Sequence, residues 1–296
     1  MQHQNSTKKP NSILIGITLV VCICLLISLE WILSRTEPAE IPLAEAKETP
    51  FFAPVPTAVP TAVPKPLTES QDPSDPYPDL YGDNPDPCYM PAEDKVIYLT
   101  FDDGPSSVTA ELLKVLKQEG VFATFFVMGD SPQKQELLRQ LVFDGHTVGV
   151  HTYTHDYSYL YWNKASYLAD FCRQYYAVWA ATGYRPRIFR FPGGSVNSYN
   201  RHLYRDLISE MQNRGFVYYD WNVTSEDAIG VTDPKEQLNH LLTQSQNKNR
   251  IIALLHDSPQ NPEIWWTVQE YIRTMKEAGY TFKALDSSVK PMHFPY

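Results

Sequence analysis

His151 and His155 stand four residues apart in the run HTYTH. Two imidazoles and one carboxylate make the open ligand set of a hydrolytic metal centre, with positions left for water and substrate. A closed structural site would instead use four protein ligands. The carboxylate can come from Asp102 or Asp103 in the run TFDDGP. Adjacent side chains point in different directions, so one can ligate while the other stays free as a base. Thr152 occupies the position where the zincin motif needs Glu, so that class of metalloprotease is excluded. Alone, the His-x-x-x-His spacing describes two surface histidines equally well; the Asp-Asp-Gly run gives it weight.

Three further runs carry usable chemistry. Arg190 lies in FRFPGG, where a buried guanidinium beside a carboxylate would keep that carboxylate charged and oriented. Gly193 in the same run lets backbone approach a ligand, and its amide could donate to a developing oxyanion. His256 in LLHD is suited to general-acid work. Asp220 and Trp221 could wall the site and orient His256. Each has an ordinary alternative: an Arg at a glycine turn, a satisfied histidine at a barrel rim, a core Trp.

The elements that must position these residues follow from periodicity. Apolar, β-prone runs occur at 96–101, 121–127, 146–151, 188–191, 216–223, 250–255 and 280–285. Helical faces lie between them, among them Val108, Leu112, Val115 and Leu116, with Thr109 as N-cap, and Leu168, Cys172, Tyr175 and Trp179. Seven strands alternating with six helices predict a parallel α/β domain. A (β/α) barrel and an open doubly wound sheet both fit. In either, chemistry gathers at the carboxyl ends of the strands, and five of the seven strand ends carry the residues above.

The N-terminal third is different material. Residues 1–12 carry Lys8 and Lys9, and residues 13–33 form an apolar run long enough to cross a bilayer. The positive-inside rule keeps the N-terminus cytoplasmic and exports the rest, giving a single-pass cell-membrane protein with its C-terminal domain extracytoplasmic. Cleavage as a signal peptide is the rival, but no small-residue site follows the run. Residues 34–92 are Pro-rich, with VPTAVPTAVPKP at their centre, and predict an extended spacer. The domain is expected over 93–296.

Composition excludes whole classes. A net charge of −9 argues against a nucleic-acid partner. Four Cys in 296 residues exclude a disulfide scaffold, and 43% hydrophobic residues exclude a disordered chain. Cys88 and Cys172 are expected to be unpaired, Cys172 as a core residue of its helix.

Together, TFDDGP, HTYTH, FRFPGG, the Asp220-Trp221 pair and LLHD resemble the polysaccharide deacetylase family, the NodB-homology or carbohydrate esterase family 4 domain. The resemblance spans roughly residues 93–288 and implies a distorted (β/α) barrel. It implies Asp102 as the base that activates water, and Asp103, His151 and His155 as ligands of a divalent metal, zinc above all, with cobalt or another ion acceptable to the same set. It also implies Arg190 as the group positioning Asp102, His256 as the acid that protonates the leaving amine, and Asp220 as the residue tuning His256. Gly193, Trp221 and Leu254 would line the acetyl pocket. Tyr153 and its aromatic neighbours could stack on sugar. The sequence departs from the family at Gly193, where Tyr is common, at Val217, where Asp is common, and at Val150; no ligand, base or acid is lost.

The anchor and spacer then imply a cell-wall substrate, peptidoglycan N-acetylglucosamine foremost, acted on by a monomeric catalytic domain. The alternatives are an O-acetyl xylan esterase, a chitooligosaccharide deacetylase and, in a different class, an inactive wall-binding module.

Overall fold

The computed structural model describes residues 74–82, 89–90 and 94–295. Its eight strands are all parallel: β1 (Val96–Asp102), β2 (Thr124–Met128), β3 (Thr147–Thr152), β4 (Ile188–Phe189), β5 (Val217–Tyr218), β6 (Val223–Thr224), β7 (Arg250–His256) and β8 (Thr281–Lys283). The order is β5-β4-β3-β2-β1-β7-β6, with β8 beside the first half of β1. The run read as one strand at 216–223 is in fact two, β5 and β6, one at each edge of this sheet. Only residues 219–222 join them, a span of under about 20 Å even if fully extended. The sheet must therefore curl until its edges approach each other. The Tyr219 amide donates to Phe189 O, and Asn222 pairs with Ile252, so the two ladders are drawn towards each other. The result is a parallel α/β sheet curled into a half-barrel whose edge strands β5 and β6 do not pair, not an open doubly wound sheet.

Among the described residues seven α-helices pack around it: α1 (Thr109–Glu119), α2 (Pro132–Phe143), α3 (Tyr157–Leu160), α4 (Lys164–Thr182), α5 (Tyr204–Asn213), α6 (Pro234–Ser245) and α7 (Ile264–Glu277). Ser131, Asn163 and Asp233 accept amide hydrogens at the starts of α2, α4 and α6, satisfying donors that have no partner within the helix. Thr109 does not cap α1 as the sequence suggested. Val108 stands at the N-cap, and the Thr109 hydroxyl is occupied by Asp257.

Alternation along the strands separates two cores. On β1, Ile97, Leu99 and Phe101 face the helices, while Val96 and Tyr98 join Phe126, Ile188, Val217, Tyr219 and Ile252 in a second cluster inside the curl. The same parity continues to Asp102. On β7 it carries Ile252 and Leu254 on to His256, so the functional ends inherit their direction from the core pattern.

Residues 74–82, which composition assigns to the spacer, pack on α5. Leu80 is fully buried, and Arg214 binds Asp75 at 2.8 Å. Cys172 is a buried free thiol of α4, its pKa pushed up to about 11 by burial. Cys88 and the apolar run 13–33 lie outside the described residues. Among the described residues no helix is long and apolar enough to cross a membrane.

Candidate active site

The ends of β1, β3 and β7 and the turn after β4 open into one cavity of about 640 Å³. Asp102, Asp103, His151, His155 and His256 all line it.

Asp103, His151 and His155 place their ligand atoms within 4.8 Å of one another. His151 Nε2 and His155 Nε2 lie 3.6 and 3.3 Å from Asp103 Oδ1. That oxygen is buried and has no hydrogen-bond donor, the state expected of a carboxylate whose partner is a cation. The Nδ1 of His151 lies 2.9 Å from Arg190 O and donates to it, which leaves the Nε2 lone pair facing Asp103. Burial pushes the His151 pKa down, against the pull of Asp102 and Asp103, favouring the neutral imidazole that metal binding requires. Two of the three residues, Asp103 (φ 73°) and His155 (φ 56°), hold left-handed backbone, which is costly for residues other than glycine. The three residues fit a divalent metal, and of the two aspartates the sequence offered it is Asp103 that stands with the histidines.

Asp102 is 3% exposed and points into the curl. Its Oδ1 accepts from Arg190 Nη1 at 2.8 Å, and its Oδ2 stands 3.9 Å from His151 Nε2. Arg190 is fully buried on the inner face. It also donates to Thr100 Oγ1 at 2.7 Å and to Tyr219 O at 2.9 Å, and its guanidinium lies 4.4 Å from the Phe126 ring centre. A buried guanidinium is tolerated only when paired and hydrogen-bonded in this way. One residue thus orients Asp102 through its side chain and His151 through its carbonyl.

His256 is held by Asp227, not by Asp220. Asp227 Oδ1 lies 2.8 Å from His256 Nδ1, and its Oδ2 accepts the His256 amide at 2.8 Å. Burial alone would lower the His256 pKa. The Asp227 bond and charge outweigh it, helped by Asp102 and Asp103, and raise the pKa to about 9. His256 is therefore an imidazolium at neutral pH. The reason for the correction is register. Tyr218 pairs with Phe189, so Asp220 emerges beside the end of β4. Thr224 pairs with Leu254, so Asp227 emerges beside the end of β7, where His256 is. Asp220 instead accepts from the Ser195 amide and hydroxyl and from the Phe294 amide.

The cavity walls include Tyr157, Gly193, Trp221, Ala228 and Leu254. Gly193 has φ 73°, and a Cβ there would lie 3.0 Å from the Tyr157 ring, so the turn and the ring need glycine. Burial, with Asp103 and Asp102 nearby, pushes the Tyr157 pKa up to about 12, so its hydroxyl stays neutral. Tyr153 does not line the cavity. Its ring carries the Arg173 guanidinium at 3.5 Å, and the tyrosine that lines the cavity is Tyr157. Tyr161 is buried, with its hydroxyl on Pro192 O.

Besides Asp227, two carboxylates were given no role by the sequence. Asp170 of α4 accepts from the Thr152 hydroxyl, the Tyr153 amide, and the Thr154 amide and hydroxyl at 3.1 and 2.7 Å, fixing the loop between the two histidines. Asp257 accepts from Ser106 and Thr109, both at 2.6 Å, fixing the turn that follows Asp103. Asp257 is the last residue of the LLHD run, where only His256 was given a role. Asp170 had no local signal, because its partners are 16 to 18 residues away.

Comparison with known proteins places the whole domain. The polysaccharide deacetylase family model matches residues 90–212. Bacillus subtilis YheN, whose name assigns it provisionally to the polysaccharide deacetylases, is 35% identical over 208 residues, covering 68% of this chain and 70% of that protein. A Bacillus cereus protein named peptidoglycan-N-acetylglucosamine deacetylase is 32% identical over 208 residues, covering 69% of this chain and 72% of that one. Among solved structures, the catalytic domain of peptidoglycan N-acetylglucosamine deacetylase from Eubacterium rectale matches with a TM-score of 0.66 at 32% identity, covering 70% of this chain and 96% of that one.

Proposed function

This chain belongs to the polysaccharide deacetylase family and is a deacetylase, and we propose that the bond it hydrolyses is the N-acetyl amide of peptidoglycan N-acetylglucosamine. The observation that carries the reading is one cavity holding a carboxylate free to take a proton, a protonated histidine able to give one, and an Asp-His-His ligand set. An inactive wall-binding module would have no need of that combination.

Asp103, His151 and His155 would hold the divalent metal, zinc by preference for a ligand set of two imidazoles and one carboxylate. When bound, such an ion polarises an acyl oxygen and makes water more acidic. The remaining steps belong to the chain. Asp102, oriented by Arg190, takes the proton of the attacking water. The Gly193 amide offers a hydrogen bond to charge developing on the acetyl oxygen. His256 gives its proton to the departing amine nitrogen, and Asp227 stabilises the imidazolium until it does. Leu254 and Trp221 form the apolar wall for the acetyl methyl.

The apolar run 13–33 and the Pro-rich spacer support an extracytoplasmic, membrane-anchored enzyme facing the wall, with a monomeric catalytic domain. Relatives named chitin deacetylase and bifunctional xylanase/deacetylase keep chitooligosaccharide and acetylxylan as the substrates to exclude. Acetate release from peptidoglycan, chitooligosaccharide and acetylxylan tests the reading. Peptidoglycan should be the best substrate; acetate from acetylxylan alone would replace it with an esterase.

A further inference from the structure

We propose that the C-terminal segment, residues 292–294, is part of the substrate site, positioning Trp221 and the Gly193-Gly194 turn through the buried carboxylate of Asp220. Asp220 is fully buried and has no part in holding His256. Such a group is costly unless its oxygens are satisfied, and here they are satisfied by two separate segments. Oδ1 accepts the Ser195 amide at 2.8 Å, which fixes the turn carrying Gly193. Oδ2 accepts the Phe294 amide at 2.7 Å, while the Asp220 amide donates to Met292 O at 2.9 Å. The carboxylate therefore joins the tail, the glycine turn and the end of β5.

Aromatic packing completes the arrangement. The His293 ring lies on Tyr218, with centroids 3.8 Å apart and planes within 9°. Phe294 presents its edge to Trp221 at 4.8 Å and 75°. A Cβ on Gly194 would come within 2.5 Å of Phe294 and 3.3 Å of Trp221, so the turn, the tail and the indole leave no space between them. Trp221 lines the cavity and Phe294 does not, so Phe294 is a positioning residue acting through the indole. Without the Phe294 ring the Trp221 indole has room to turn, and the wall offered to the acetyl group loses its orientation. Loss of the Phe294 ring alone leaves its backbone amide on Asp220 and so leaves the Gly193 turn in place; its effect should fall on substrate affinity more than on the chemical step.

The substrate part rests on the deacetylase reading, so the test has one arm that needs no substrate. Full-length protein labelled with 5-fluorotryptophan is compared as wild type, Phe294→Ala, Phe294→Tyr and a variant truncated after residue 291. The Trp221 fluorine resonance is identified by its loss in Trp221→Phe. Phe294→Ala and the truncation should shift or broaden that resonance, and Phe294→Tyr should restore it. On peptidoglycan, Phe294→Ala should raise KM about tenfold with kcat within about threefold, and with unchanged zinc affinity. An unmoved Trp221 resonance in folded Phe294→Ala overturns the proposal whatever the kinetics. So does a moved resonance with unchanged KM. Absence of turnover by the wild type would count against the deacetylase reading alone, with the resonance still testing the tail.

Discussion

Asp227 grips His256 twice, through the ring Nδ1 and through the backbone amide, both at 2.8 Å. The two contacts fix the imidazole's tautomer and its distance from the cavity together, so the proton available to a leaving group sits on Nε2. Asp227 lies in a 3-10 turn, Asp227–Ile229, which also forms one wall of the cavity. Acid and wall are therefore built by the same few residues.

Removing the Asp227 charge should move the pH profile. The His256 pKa is raised to about 9 in the folded protein against 6.5 unperturbed. The stabilisation from this pair is fully present below about pH 6.5 and is lost as pH rises through about 9. The required acid disappears over that same upper interval. A bound cation pulls the value down, so the expectation is a basic limb above pH 7 in the wild type. In Asp227→Asn the limb should fall by at least one unit. Measuring kcat/KM from pH 5 to 10 checks this, and an unmoved limb would separate His256 from the acid role.

Base and metal should be separable. Asp102→Asn keeps the ligand set and should retain zinc at wild-type stoichiometry while losing about 10²- to 10⁴-fold in kcat. His155→Ala should lose zinc without unfolding, since His155 is a partly exposed loop residue. Metal content by elemental analysis beside circular dichroism reads both. Loss of zinc in Asp102→Asn would mean that the roles of the two aspartates are exchanged.

Arg190 is predicted to be structural as well as functional. Arg190→Ala strands a buried Asp102 and frees Thr100 and Tyr219 O, which should cost about 3–5 kcal/mol of stability. Denaturant unfolding measures it. A cost below about 1 kcal/mol would mean that the buried pair is not held as described.

Asp170 should act on metal affinity from a distance. Asp170→Ala leaves two amides and two hydroxyls of the 152–154 loop without an acceptor, and that loop holds His155 in its left-handed conformation. Zinc affinity should fall about 10- to 100-fold, the range seen when groups behind metal ligands are removed. Isothermal titration with zinc checks this, and Asp170→Glu should recover part of the loss.

How far the sequence could be read depended on how local each signal was. HTYTH gave the two histidines and TFDDGP offered Asp102 or Asp103 as the carboxylate. The division into base and ligand came only with the family resemblance, because β1 is buried along its whole length and VIYLTFD shows no alternation to tell which aspartate faces inward. The split of 216–223 was not legible. Its burial is continuous from Phe216 to Asp220, and only the pairing of its two halves with opposite edges of the sheet reveals two strands. That hidden break is why Asp220 was taken for the partner of His256. The Asp-Trp pair offered a motif, while Asp227 sits before Ala228 with nothing local to mark it. Asp170 was invisible for a related reason: a helical aspartate among aromatic residues reads as an ordinary polar position until the loop it holds is folded against it.

The most direct test of the account is the joint measurement of acetate and new free amine from purified peptidoglycan, using full-length protein stripped with a chelator and then reloaded with zinc. The account predicts no product from the stripped protein, and equal amounts of acetate and glucosamine amine after reloading, with His256→Ala far below wild type at equal zinc content. Full activity of the stripped protein, or acetate without new amine, would contradict it.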